Sequence, residues 1–231
     1  MGKAARRMRR VDRRGLHRVG YLQHVDVARV QAWAVPSHAR VVIAALPGTF
    51  AAPGRPLAHV IESGEQQTST DLEPLIKSFQ VGGERMFDDD PRFGLIVLAE
   101  IAARALSPGI NDPGTAIDTI GTLVRLLADW QRTPVPDDVT VKYDRVEVPL
   151  ITVRDMFDDA FTAIGRNGAG AVEVSVRLQK ALDALASLGD AEMRAAANYH
   201  SRLAMQRSRL ALKIPEDLAA VEEAARFADR R

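Results

Sequence analysis

A break in a long helical stretch constrains the fold of this chain more than any other feature. The segment "ALSPGINDPGTAID", residues 105 to 118, interrupts one helical pattern and starts another. Proline disfavours helical geometry in the residue before it, so Pro108 ends the first helix. We expect Gly109 to adopt the left-handed conformation that closes many helix ends. The side chain of Asp112 then caps a second helix. Pro113 suits the first position of that helix, because the N–H that proline lacks would have no partner there.

The first of these two helices is predicted to lie at the centre of the core. Asp89 or Asp90 caps it, and Pro91 occupies its first turn. Its apolar residues face nearly every direction, which is typical of a helix packed on several sides. They are Phe93, Leu95, Val97, Leu98, Ile101, Ala105 and Leu106. The second helix is predicted to run from Pro113 to about Trp130.

The segment from 17 to 62 is predicted to form short strands. Apolar and β-branched runs occur in "HRVGYLQHV", "ARVVIAAL" and "PLAHVIE", and the last two flank the turn-rich "PGTFAAPG". Between the first two runs, Asp26 caps a short helix, "VARVQAWA". These patterns indicate a small sheet or barrel.

The remainder of the chain is predicted to be mainly helical. A short helix is expected at 71–79, one more strand in "QVGGERMF", and two short strands in "VTVKYD" and "RVEVPL". From residue 152 onward apolar residues recur at helical spacing. The fold class is therefore α+β, with a small N-terminal β-rich unit followed by a larger mainly helical bundle. We expect a basic arm at 1–16, the β-rich unit at 17–66 and the helical domain at 67–231.

The composition narrows the function classes. The chain of 231 residues has 46% hydrophobic residues, 26% charged residues and no cysteine. The absence of cysteine excludes disulfides, thiolate metal sites and cysteine nucleophiles. It also suits a reducing compartment such as the cytoplasm. The longest apolar runs, such as "VVIAAL", are far shorter than the ~18 residues that a membrane-spanning helix requires. We expect neither a bilayer-spanning segment nor a secretory signal in this chain.

Positive charge is concentrated at the N-terminus. Residues 1–14 carry seven basic residues against Asp12, a net of 7 − 1 = +6, so the overall +1 leaves −5 for the rest. Such a segment binds anionic lipid or nucleic acid, or is simply solvated. No basic face interleaved with aromatic residues follows it, which disfavours nucleic acid. The candidate membrane-surface residues are Arg6, Arg7, Arg9, Arg10, Arg13 and Arg14.

The helix break also supplies a candidate ligand site. Capping explains both helix ends, but it does not require the other polar residues around the break. Free amides at a helix N-terminus together with Arg104 would favour an anion. Asp112 with Glu100 or Asp118 and the loop carbonyls would favour a cation instead. The candidate residues are Glu100, Arg104, Ser107, Asn111, Asp112 and Thr115.

Other motifs give little support for chemistry. The five histidines have no metal-binding spacing, and neither a phosphate-binding glycine loop nor a serine hydrolase motif is present. We therefore predict no metal and no cofactor. His24 and Asp26 are close enough in sequence to form a hydrogen-bonded pair. The three carboxylates of "MFDDDPRF" are interpreted mainly as helix caps, with cation binding as the alternative.

One long segment resembles a known family. "RMFDDDPRFGLIVLAEIAARALSPGINDPGTAID", residues 85–118, is similar to the signature of the bacterial family called domain of unknown function 2254, described as predicted membrane proteins. "GYLQHVD" and "LPGTFAAPGRPLAHV" resemble the segment ahead of that signature. The resemblance covers about residues 18–130.

The resemblance implies a location but no activity. Family members carry several membrane helices ahead of this part, so either the natural protein extends upstream of Met1 or this is a membrane-free relative. Arginines after a last membrane helix fit the positive-inside bias. We predict a cytoplasmic domain at the bacterial inner membrane that self-associates and senses or gates. Its partners would be the anionic membrane surface or preceding transmembrane helices. The alternative is an enzyme or small-ligand domain that uses residues 100–118.

Overall fold

The computed structural model describes residues 7–11, 19–62, 71–133 and 141–229. A β-rich N-terminal region is followed by helices, which confirms the α+β fold class. The described residues form two compact units, the first within 1–93 and 136–150 and the second within 94–135 and 151–231. The domain boundaries expected from the sequence concern independent folding and stay a prediction.

The described residues of the first unit form two small sheets and two short helices. Its strands are β1 (Arg7–Val11), β2 (Gly20–Val25), β3 (Ala39–Ile43), β4 (Phe50–Ala51), β5 (Ala58–Glu62), β6 (Phe79–Gly82) and β7 (Val146–Glu147), and its helices are α1 (Val27–Ala34) and α2 (Glu73–Ile76). The strand orders are β1-β5-β3-β7 and β4-β2-β6. The three strands predicted between 17 and 62 are thus confirmed as β2, β3 and β5.

The start of α1 agrees with the sequence prediction, whereas several of the predicted short elements are shorter than expected. The carboxylate of Asp26 accepts a hydrogen bond of 2.9 Å from the amide of Arg29, which confirms the predicted cap. The helix expected at 71–79 is only the four-residue α2. The strand expected in "QVGGERMF" is confirmed as β6, which ends at Gly82. Of the last two predicted strands, "RVEVPL" contains β7. In "VTVKYD", the described residues 141–144 do not pair with any strand.

Part of the basic segment belongs to a sheet. Residues 7–11 form β1, which pairs antiparallel with β5 from Arg7 opposite Glu62 to Val11 opposite Ala58. Val11 is 1% exposed, and the guanidinium of Arg9 donates a hydrogen bond of 3.1 Å to the carboxylate of Glu62. The expected arm is therefore an edge strand at these positions. Arg6, Arg13 and Arg14 lie outside the described residues.

The described residues of the second unit form six α-helices. They are α3 (Pro91–Ala105, of which 94–105 belong to this unit), α4 (Pro113–Arg132), α5 (Val153–Asn167), α6 (Val172–Leu188), α7 (Ala191–Ala211) and α8 (Pro215–Ala225), followed by a 3-10 turn at Arg226–Asp229. The helical patterns predicted beyond residue 152 are confirmed. Among the parts of the chain described, no helix is both long enough and apolar enough to cross a bilayer.

The central position predicted for α3 is wrong. This helix buries one stripe of mostly small residues, Leu95, Ala99, Ala102 and Ala105. The largest fully buried side chains of this unit belong instead to α4, α5, α6 and α7, among them Phe157, Phe161 and Leu182. The apolar residues of α3 outside its buried stripe are therefore left partly in solvent, and Ile101 is 47% exposed.

Candidate functional site

The turn between α3 and α4 is closed by backbone hydrogen bonds. The amides of Ile110 and Asn111 donate to the carbonyl of Ser107, at 3.0 and 2.9 Å, and the amide of Asp112 donates to the carbonyl of Ala105 at 2.8 Å. The Ser107 hydroxyl donates to the carbonyl of Arg104 at 2.7 Å. Ser107 thus satisfies the carbonyl of Arg104 at the end of α3, where helical carbonyls have no partner within the helix.

The left-handed residue of this turn is Asn111, and the prediction for Gly109 is wrong. Asn111 has a φ of +50°, while Gly109 is absent from the positive-φ glycines of the described chain, which are Gly48 and Gly54. Asparagine is one of the few residues that tolerate this conformation, because its short polar side chain can bond locally. A β-carbon placed on Gly109 would meet no atom within 4 Å. The helix end is therefore closed two residues later than expected.

Asp112 caps α4 with both of its carboxylate oxygens. Oδ1 accepts from the amide of Thr115 at 3.0 Å, and Oδ2 accepts from the hydroxyl of the same residue at 2.6 Å. The predicted cap is confirmed. The hydrogen bond from the Thr115 hydroxyl is the largest cause that lowers the pKa of Asp112, and the bond from the Thr115 amide adds to it. This exposed carboxylate is therefore charged at neutral pH.

A cleft of about 400 Å³ lies between the exposed side of α3 and the start of α4. Four of the six candidate ligand residues line it, namely Glu100, Arg104, Asp112 and Thr115, whereas Ser107 and Asn111 do not. Their role in binding stays a prediction. Sequence reasoning missed the apolar lining, although the spacing of Val97, Ile101 and Arg104 places these residues on one helical face. The full lining is Val97, Glu100, Ile101, Arg104, Ala105, Ile110, Asp112 and Thr115.

Two charges of this cleft have no partner within the described chain. Glu100 and Arg104 are exposed and stand one helical turn apart, yet neither side chain forms a hydrogen bond or an ion pair with a described residue. Asp118, considered for a cation site, does not line the cleft. Within the described ranges, no three histidine, aspartate or glutamate side chains are arranged to hold a metal ion. The cleft thus combines an apolar floor with one free cation and two carboxylates.

A second polar cluster joins α5 to α7. His200 is 3% exposed, and its Nε2 lies 3.0 Å from the carboxylate of Asp158, which also accepts from Nε of Arg154 at 3.0 Å. The Arg154 guanidinium stacks on the Tyr199 ring, 3.4 Å from its centroid. Burial lowers the pKa of His200 to about 4, against the opposing effect of Asp158. The histidine is neutral at pH 7, and the cluster serves packing between the helices.

The acidic segment before α3 divides into two roles. Asp90 accepts from the amide of Phe93 at 3.2 Å and pairs with Arg85 at 2.6 Å, so Asp90 and not Asp89 caps α3. Asp89 instead lies 2.5 Å from Nδ1 of His24. The predicted pair of His24 with Asp26 is therefore wrong, because Asp26 caps α1 and the partner of His24 comes from a segment 65 residues away.

Comparison with known proteins gives one family and a few relatives. Residues 9–184 match the family model described as "Predicted membrane protein", domain of unknown function 2254. Uncharacterised proteins of Mycobacterium tuberculosis and of Mycobacterium bovis are each 32% identical over 123 residues, which cover 52% of this chain and 24% of each relative. The matched segment thus spans about a quarter of the length of these relatives. No solved structure matches the chain.

Proposed function

Because this chain belongs to the family of predicted membrane proteins called domain of unknown function 2254, we propose that it is the part of such a protein that lies at the cytoplasmic face of the inner membrane. Its role there is to hold copies of the protein together. The α3 face, defined here as Val97, Glu100, Ile101 and Arg104 together with Ile110, is the surface that associates. Sensing or gating would follow from a change in this association.

The exposed isoleucines of the α3 face carry the proposal. Ile101 is 47% exposed and Ile110 is 54% exposed, and both line the same cleft. Single exposed apolar residues are ordinary on protein surfaces, whereas contiguous apolar patches with a polar rim are typical of interaction sites. Glu100, Arg104 and Asp112 supply such a rim here. Covering these side chains in an assembly would remove their apolar surface from water, which favours association.

The basic N-terminal segment supports the location. Arg10 is exposed on β1, and the arginines that surround it in sequence carry most of the net charge of +6 in residues 1–14. Each basic residue near an anionic membrane surface contributes about 1 kcal/mol of attraction. Because arginine-rich segments favour the cytoplasmic side of a membrane protein, we assign this chain to the cytoplasmic side of the membrane.

Sedimentation of the chain over a range of concentrations tests the association. We expect the parent to dimerise or form larger assemblies, and Ile101→Asp to shift it toward the monomer. Ile214→Asp is the matched control, since Ile214 is 56% exposed and stands at the N-cap of α8, where aspartate is favourable. A parent that remains monomeric at every concentration would refute the proposal, as would equal effects of the two variants.

A small-ligand site in the same cleft is a second candidate, favoured by the unpaired Arg104 guanidinium. An exposed arginine beside an apolar floor suits an anion that carries an apolar group, such as a phosphorylated or carboxylated metabolite. A thermal-shift screen of such anions and of divalent cations tests this candidate. The expected result is a rise in melting temperature that Arg104→Gln abolishes, and a rise that survives this substitution would place the ligand elsewhere.

A further inference from the structure

We infer that two copies of this chain pair through α3 in an antiparallel, two-fold symmetric contact, in which Glu100 of each copy meets Arg104 of the other. This inference rests on the proposed self-association and specifies its geometry. The partner is a second copy of the same chain, and the contact surface is the α3 face.

The charge pattern of the α3 face is self-complementary. Glu100 and Arg104 are four residues apart, so about 6 Å of helix axis separates them. Both side chains are exposed and line the same cleft, and neither has an ionic partner among the described residues. A two-fold contact between antiparallel helices places the earlier residue of one copy opposite the later residue of the other, and it does so twice. Two opposite-charge pairs therefore form from one motif.

Other arrangements of the same two helices are disfavoured by the same charges. A parallel pairing in register would place Glu100 against Glu100 and Arg104 against Arg104, and like charges in contact repel each other. An ion pair within one helix is the competing use of these residues, since glutamate four positions before arginine is the favourable order. Among the described residues, Glu100 and Arg104 form no ion pair with each other, and such a pair contributes little on a helix surface.

The apolar residues of the face fit the same symmetry. Ile101 lies between Glu100 and Arg104 along the helix axis and beside them around it, so in this pairing it lies close to the two-fold axis and within reach of the partner helix. Val97 and Ile110 flank it within the cleft. An apolar centre with charged residues toward the edge is the usual distribution in protein interfaces, in which burial drives association and charges fix register and orientation.

Charge reversal tests the arrangement with three variants of the full chain, Glu100→Arg, Arg104→Glu and the double reversal. Each single reversal turns both ion pairs into like-charge contacts, so we expect the association constant to fall at least about tenfold. The double reversal restores both pairs with their signs exchanged and should recover association to near the parent value. Mixing the two single variants should give a heterodimer, detectable by native mass spectrometry when one variant carries a mass tag.

A control separates these effects from a general effect of charge. Arg202 is exposed on α7 and does not line the cleft, so Arg202→Glu should leave association unchanged. Circular dichroism spectra should agree for all variants, because the substituted residues are exposed and dissociation does not require a change of fold. The melting temperatures of the associating and dissociated variants should differ, because association stabilises the folded state.

The possible outcomes distinguish the geometry from the proposed function. If Ile101→Asp dissociates the parent but neither the double reversal nor the mixture recovers association, the antiparallel geometry is overturned and self-association stands. If the single reversals leave association unchanged, Glu100 and Arg104 serve their own helix and the geometry is overturned. A parent that is monomeric at every concentration overturns both, and the α3 face is then covered by another segment or another protein.

Discussion

Nε2 of His200 lies 3.0 Å from a carboxylate oxygen of Asp158, and this contact joins α7 to α5 across 42 residues of sequence. The histidine is buried against Phe157 and Phe161, whose ring centroids lie 6.0 and 6.4 Å from its own. Burial disfavours the imidazolium more than Asp158 favours it, so the ring stays neutral until the pH falls far below its ordinary pKa.

The stability of the chain should therefore fall between pH 6.5 and pH 4. The pKa of His200 is lowered from 6.5 to about 4 in the folded chain. Between these values the unfolded state binds a proton that the folded state does not, so the free energy of unfolding decreases as the pH falls. The expected loss is on the order of 3 kcal/mol over the window. Urea unfolding at pH 7 and at pH 4.5 measures it, and His200→Gln should reduce the difference between the two values.

The left-handed residue at the end of α3 predicts opposite outcomes for two neighbouring positions. Asn111→Ala should lower the free energy of unfolding by about 1 kcal/mol, because alanine does not tolerate a positive φ, whereas Asn111→Gly should not lower it. Gly109→Ala should be neutral, since open space surrounds that glycine and its φ is not positive. Denaturation midpoints give the comparison. A larger loss from Gly109→Ala than from Asn111→Ala would contradict the turn geometry.

Capping and ligand binding by Asp112 separate in a pair of variants. Asp112→Ala should lower the melting temperature, and Asp112→Ser should restore most of it, because a hydroxyl caps a helix nearly as well as a carboxylate. Cation binding in the cleft would not be restored by serine, because serine lacks the negative charge of aspartate. Thermal shift with divalent cations measures both properties at once. If Asp112→Ser matches the parent in stability and in ligand response, Asp112 serves only as a cap.

The basic segment should bind anionic vesicles in a salt-dependent manner. Vesicles of mixed neutral and anionic phospholipid should sediment the parent at low salt but release it as salt screens the charges, whereas purely neutral vesicles should not sediment it. Deleting residues 1–14 is not a clean test, because that change removes β1 and its buried Val11. Replacing Arg6, Arg7, Arg10, Arg13 and Arg14 with glutamine keeps the strand and should abolish binding. Undiminished sedimentation of that variant would exclude the basic segment as the attachment.

Sequence patterns were sufficient where a local rule decides the structure. The caps at Asp26 and Asp112 depend on a short polar side chain at a helix start. The strands near residues 20, 40 and 60 depend on apolar and β-branched runs between turn residues. Four of the six residues proposed around the helix break line one cleft because a helical turn brings positions 100 and 104 to the same side.

Patterns failed where the partner of a segment decides its place. An apolar helix such as α3 fits the centre or the edge of a bundle equally well, since periodicity does not say how many neighbours pack on it. Residues 7–11 carry three arginines and resemble a solvated arm, yet they pair with β5, which comes far later in the sequence, at Ala58–Glu62. Asp158 and Asp89 could not be assigned to His200 and His24 because those pairs form only in the folded chain.

The pairing of β7 with β3 affects how this protein can be divided or recombined. Val146 and Glu147 lie opposite Val41 and Val42 in a parallel ladder, and Gln31 on α1 bonds both the side chain of Asp144 and the amide of Arg145. The first unit therefore includes a stretch that is encoded between two helices of the second. No single cut of the gene releases either unit whole, so neither can be transferred to another protein as one uninterrupted segment.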